Sequence, residues 1–314
     1  MTTEGPPRAP AAPPVRRSAS PPRPLDVAPE GERPLTDRAP RAGAPWRAAV
    51  RRVMLLTALL VGLGAWATVD RAMGREARIE EAALHGVPDR PSGWARVRAG
   101  LFGAPTVGVQ IGHLHAHAHP DELASLRVST GADVDGEREV DVNAAVAEAL
   151  ARRLAAAGVT VQLLPATVPA GYRADLVVSL HADASPDRSR SGYKSAHREP
   201  ARSVREPMLR RTVDAAYLKA SGMRHDEANV TGAMLHYYAF SDRRFRHAVA
   251  RGTPGLIIEM GYLSHPGDRA WLGEPDRPAA ALADGIVRYL AAIDRWHPAL
   301  ADDGAERASV VPVR

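Results

Sequence analysis

From Thr106 onward the chain alternates short aliphatic runs with longer amphipathic stretches. The runs TVGVQI (106–111), VTVQLL (159–164), DLVVSL (175–180) and GLIIE (255–259) are nearly all apolar. That is the texture of strands covered on both faces. Between them, 139–157 repeats apolar residues at helical spacing (Val142, Val146, Ala149, Leu150, Leu154), and Gly158 is placed to end the helix. A charged amphipathic helix is predicted over 204–221, ending near Gly222. A third over 278–292 carries Ala281, Ile286, Tyr289 and Leu290 on one side after Pro278. Strands alternating with helices predict an α/β fold: one three-layer domain over 105–298, with a mostly parallel central sheet flanked by helices. No internal repeat is present.

Upstream the pattern differs. Residues 1–45 hold twelve of the 27 prolines, mixed with Ala and Arg. Such a stretch buries too little apolar surface to order itself, so 1–50 is expected to be a disordered tail. The uncharged run VMLLTALLVGLGAWATV (53–69) follows Arg47, Arg51 and Arg52. Its 17 residues are at the short end for a membrane-spanning helix. Segment 51–70 therefore reads as one transmembrane anchor, N-terminus cytoplasmic, with Trp66 at the membrane interface. The alternative is a signal segment cleaved near Ala65-Trp66-Ala67. Both readings export the remainder. Residues 71–104 read as a juxtamembrane linker that opens with a short helix, and 299–314 as a disordered C-terminal tail.

Composition narrows the chemistry. The chain has no cysteine, which excludes disulfides and thiolate metal ligands. Residues 1–52 contain ten Arg and five acidic residues, net +5 (10 − 5), which is the whole formal charge of the chain. The remainder is neutral and offers no broad phosphate-binding surface, so a nucleic-acid partner is not expected.

Four residues stand out as candidate chemistry. His113 follows the first strand, Glu139 opens the first long helix, and His181 and Glu259 end the third and fourth strands. Open α/β sheets place ligands at the carboxyl ends of strands, and a helix N-terminus favours a carboxylate. Two imidazoles and a carboxylate form a three-ligand zinc site with one position open, and a further carboxylate is suited to moving the proton of a water. Taken singly, each has a plainer reading: a satisfied core histidine for His181, a favourable helix-start charge for Glu139. Glu259 is harder to dismiss, because a carboxylate after Leu-Ile-Ile is costly to bury without a task. His113 also competes with His115, His117 and His119, since alternate residues of an extended strand share a face.

The motifs around these residues resemble the zinc-dependent N-acetylmuramoyl-L-alanine amidases of type 3. The resemblance runs over about residues 106–292, through Gly112-His113, Glu139 with Asn143, Ser179-Leu180-His181-Ala182-Asp183-Ala184, and Ile258-Glu259-Met260-Gly261-Tyr262-Leu263-Ser264-His265. It implies Zn2+ held by His113, Glu139 and His181, with Glu259 as catalytic acid/base. The implied reaction cleaves the amide between N-acetylmuramic acid and L-alanine in peptidoglycan, outside the cytoplasm. The chain departs from the family at Gln110 and Ile111, which replace Asp-Pro, at Asp183, which replaces Asn, and at His265. Segment 185–250 matches nothing readable. Two other functions stay open: an inactive cell-wall binding module of the same fold, or a metal-dependent hydrolase of another amide. Tyr237, Tyr238 and Phe240 are candidates for a groove or for core packing, and the basic run 243–247 for a substrate contact or a solvated face.

Overall fold

The computed structural model describes Val53, Met54, Thr57, Ala58, Val61, residues 92–299 and residues 310–312. In chain order the elements are α1 (Gly93–Phe102), β1 (Thr106–Ile111), β2 (Asp133–Val134), β3 (Glu137–Arg138), α2 (Glu139–Ala156), β4 (Thr160–Leu164), β5 (Leu176–Asp183), β6 (Lys194–Ala196), α3 (Arg205–Ser221), α4 (Gly232–Leu235), β7 (Gly255–Tyr262), α5 (Pro266–Leu272), α6 (Asp276–Ala292) and β8 (Val310–Pro312).

The main sheet has the order β6-β7-β5-β1-β4-β8. Every pair is parallel except β6–β7, which is antiparallel at one edge. After β1 the chain crosses to β4, then returns past β1 to β5. The order reverses between β1 and β5, and the carboxyl ends of those strands define the switch point where such sheets hold ligands.

Side chains alternate across the sheet with a period of two. One face, carrying Val107, Val109, Val178, Leu180, Leu256 and Ile258, packs with residues of α2, α3 and α6 in the larger core cluster. The other face is covered by irregular chain rather than long helices. There Val177 and Ile257 pack with Val168, Tyr172, Tyr237, Phe240 and Val249. The polar strand residues fall in one alternation set: Gln110 is the register partner of Ser179, and His181 that of Glu259. Helix α2 ends as its sequence requires. Gly158 takes the left-handed conformation (φ 75°), and the following Val159 N–H reaches back to Leu154 O at 3.0 Å.

Three expectations need correction. Strands β5 and β7 run past His181 and Glu259, to Asp183 and Tyr262, because each continues to find a partner beyond those residues. Within the expected linker, Gly93–Phe102 is a helix. Ser92 caps it, its Oγ accepting from Ala95 N at 2.9 Å, and the helix is tied to the domain where Arg98 donates to Ile293 O at 2.8 Å. The expected C-terminal tail supplies β8, whose backbone pairs with Val161–Leu163 and covers what would otherwise be an open edge. The expected tail 1–50, nearly all of segment 51–70, residues 71–91 and residues 300–309 lie outside the described residues. No helix among the described residues is long and apolar enough to cross a membrane.

Candidate metal centre and its clefts

His113, Glu139 and His181 come together at the switch point, their ligand atoms all within 4.8 Å of one another. His113 Nε2 lies 3.2 Å from Glu139 Oε1, and His181 Nδ1 lies 3.0 Å from the same oxygen. Donors around a tetrahedral zinc with bonds of about 2.0–2.1 Å stand roughly 3.3 Å apart, so the spacing and the N, N, O donor set fit that ion.

Each side chain is aimed by its surroundings. His113 follows the end of β1 in a left-handed conformation (φ 65°), and its Nδ1 faces Ser129 O at 2.8 Å. That contact leaves Nε2 free to turn inward, the outer-shell arrangement common for ligating imidazoles. Glu139 begins α2, and its Oε2 accepts from Ala132 N at 2.9 Å. Asn143, one helical turn on, donates to Oε1 at 3.3 Å. His181 projects from β5, with Tyr237 Oη 3.1 Å from its Nε2. Gly112 permits this packing: a Cβ there would stand 2.5 Å from His181 Cε1 and 2.6 Å from Leu180 O.

The electrostatics follow from the clustering. Burial alone would raise Glu139, but hydrogen bonds and charge from His113 and His181 outweigh it and hold the carboxyl well below its ordinary range. Burial would lower His113, yet Glu139 outweighs that and keeps it above its ordinary value. Glu259 behaves oppositely. Burial, then the nearby Glu139 and Asp183 carboxylates, push it well above the usual carboxylate range, with Lys194 opposing. Glu259 Oε2 is buried and has no hydrogen-bond partner among the described residues.

Of the four clustered histidines, only His113 joins Glu139 and His181. The chain leaves extended conformation after Ile111, so the shared-face argument for the other three does not apply. His115 and His117 are exposed and stand edge-to-face on each other, while buried His119 bonds Thr167 Oγ1 at 2.6 Å.

Two clefts of about 390 Å³ each meet at His113 and His181. The polar one includes Thr130, Gly131, Glu139, Asp183 and Glu259. The other is floored by Leu123, Leu126 and Ala166 and walled by Tyr237, Tyr238 and Phe245. Tyr237 and Tyr238 thus line a groove as well as packing, whereas Phe240 is fully buried beneath Gly255. In the basic run, Arg244 and Phe245 line the aromatic cleft. Glu122 accepts from the backbone of Arg246 and His247 at 2.9 and 2.7 Å and fastens that wall.

Sequence reasoning missed Lys194. It is the register partner of Glu259 on β6, only 3% exposed at its side chain, and its Nζ is paired with Asp183. A buried lysine two residues after Gly192 had no periodic or motif signal. The unusual acid at Asp183 was its only trace.

Comparison with known proteins places these features in context. Residues 109–288 match the family model described as N-acetylmuramoyl-L-alanine amidase, a range that includes the unreadable segment 185–250. A germination-specific N-acetylmuramoyl-L-alanine amidase of Bacillus subtilis (strain 168) is 28% identical over 127 residues, 37% of this chain and 45% of that protein. The chain therefore spans less than half the length of that relative. Among solved structures, an N-acetylmuramoyl-L-alanine amidase from Clostridium difficile 630 is 20% identical, covering 60% of this chain and 97% of that one, with a TM-score of 0.41. The apo form of the amidase Ami1 from Mycobacterium abscessus is 18% identical, covering 59% and 98%, with a TM-score of 0.43.

Proposed function

We propose that this chain, which belongs to the N-acetylmuramoyl-L-alanine amidase family, hydrolyses the amide between N-acetylmuramic acid and L-alanine in peptidoglycan, with Zn2+ held by His113, Glu139 and His181. The observation that carries this reading is the buried His113–Glu139–His181 cluster with an unpartnered carboxylate, Glu259, lining the same cleft.

When bound, zinc supplies a Lewis acid that polarises an amide carbonyl and acidifies water. Glu259 takes the proton of the attacking water and returns it to the departing amine. Its raised proton affinity suits a group that must do both. Asp183 and Lys194 hold an ion pair beside it, so the site keeps a cation next to its acid/base.

The same chemistry orients the substrate. Glu259 lines only the polar one of these two clefts, so the amine it protonates, the head of the stem peptide, lies there. The acyl side, carrying the sugar, then extends into the aromatic cleft, where Tyr238 and Phe245 offer ring faces to a pyranose. Export of this activity is inferred from the apolar run 53–69 after Arg47, Arg51 and Arg52.

The test is incubation of the purified protein with peptidoglycan, with and without chelator, followed by mass spectrometry. Free stem peptide beginning at L-alanine, abolished by chelator and restored by zinc, is the expected result. Release of any other fragment, or none, overturns the reading.

A further inference from the structure

Gln110, one of the positions where the chain departs from the family motif, lies at the root of a directed hydrogen-bond chain that ends on His181. Gln110 is fully buried on β1, on the sheet face that also carries its register partner Ser179 and, two residues on, His181. Its Nε2 donates to Ala166 O and, at 3.1 Å, to Tyr238 Oη. Tyr238 Oη itself donates to Ala166 O at 2.6 Å. A backbone carbonyl only accepts, so the amide of Gln110 has one workable orientation, NH2 toward Ala166 and Oε1 away from it.

That orientation propagates. Gln110 Oε1 takes the hydroxyl proton of Tyr237 at 3.2 Å. Ser179 Oγ donates to Tyr237 Oη at 3.0 Å. Tyr237 Oη has one proton to give, and Gln110 Oε1 at 3.2 Å is a nearer acceptor for it than Tyr238 Oη at 3.4 Å; given to either, it leaves Tyr237 only accepting toward His181 Nε2, 3.1 Å away. His181 therefore carries its proton on Nε2, so that a metal taking the place of the proton Nδ1 shares with Glu139 Oε1 at 3.0 Å would find Nδ1 as the lone-pair atom.

We infer that Tyr237 and Gln110 are positioning residues that set the tautomer of His181, Ala166 O dictating the direction of the whole chain. The inference rests on the reading of His181 as a metal ligand. Tyr237 acts on His181 directly, and Gln110 acts only through Tyr237. Replacing Gln110 by an apolar residue frees the Tyr237 proton to turn onto His181 Nε2, which favours the tautomer with Nδ1 blocked.

The test is zinc affinity of the purified full chain, by competition with a chromophoric chelator, for Tyr237→Phe, Gln110→Leu and the double variant. Each single variant is expected to lose about 10- to 100-fold in affinity, the size usual for removing an outer-shell partner of a ligating histidine. The double variant is expected to lose no more than Tyr237→Phe alone. In the zinc-loaded wild type a slowly exchanging Nε2 proton of His181 should appear in proton–nitrogen spectra and broaden away in Tyr237→Phe. Independent, additive losses in the double variant would mean general loosening of the site and overturn the inference. So would unchanged affinity in the single variants. A wild type that binds no zinc overturns the amidase reading as well, whereas zinc binding without muropeptide hydrolysis overturns the amidase reading alone.

Discussion

His181 and Glu259 are register partners across the parallel β5–β7 pair, so a candidate ligand and the candidate acid/base sit side by side on strands about 4.8 Å apart. Their separation is set by the sheet ladder, not by loops. Glu259→Gln keeps shape and removes the base. Hydrolysis is expected to fall by about 10²- to 10⁴-fold. Zinc affinity should change little, because Glu259 is outside the three-ligand cluster. Muropeptide release and a zinc titration on the same preparation check both halves.

Lys194 flanks Glu259 from the other side, in register on β6. Lys194→Met strands Asp183 without its partner. Breaking a buried pair costs about 3–5 kcal/mol, and the partly exposed Asp183 (28%) places this case toward the lower end. Glu259 also loses the one cation that opposes its raised pKa. A base must be ionised to act, so the acidic limb of the kcat/KM profile should move to higher pH. Denaturant unfolding and a pH–rate profile measure the two effects.

Gly112 is where backbone and His181 come closest. Alanine there would put a Cβ 2.5 Å from the imidazole. Overpacking of this kind costs about 1–3 kcal/mol, and the ring is the freest neighbour to yield. Gly112→Ala is expected to weaken zinc binding more than it weakens the fold, as seen by comparing zinc titration with the melting temperature of the zinc-free protein.

Glu122 is held at a pKa of about 2, chiefly by the N–H groups of Arg246 and His247 and by the His247 side chain. Its folded pKa lies below the ordinary 4.5, so its contribution to stability is full above that pH and fades as pH falls toward 2. The difference in stability between wild type and Glu122→Gln should therefore be constant near neutrality and shrink below about pH 4.5. A difference that grows on acidification would contradict the assignment.

Phe245 walls the aromatic cleft. Phe245→Ala is expected to raise KM roughly fivefold, the scale of one lost ring contact of about 1 kcal/mol, for a muropeptide carrying its sugar. It should leave a lactyl-peptide without the sugar unaffected. Equal losses on both substrates would place the sugar elsewhere.

The four candidate residues could be singled out because each stands beside a regular element whose period is written in the chain. Glu139 opens a helix marked by Val142, Val146 and Leu150, and Glu259 follows Leu-Ile-Ile. The alternation of strands and helices likewise determined a parallel α/β sheet, since such runs bury both faces only that way. Other features were decided by tertiary structure alone. Which histidine of 113, 115, 117 and 119 faces Glu139 depends on a left-handed turn after β1. The pairing of Lys194 with Asp183, and the contact of Tyr237 with His181, join residues from separate elements. Local propensity records what a residue does to its own backbone. Contacts across the sheet are fixed by strand order and register, which exist only once the chain has closed on itself.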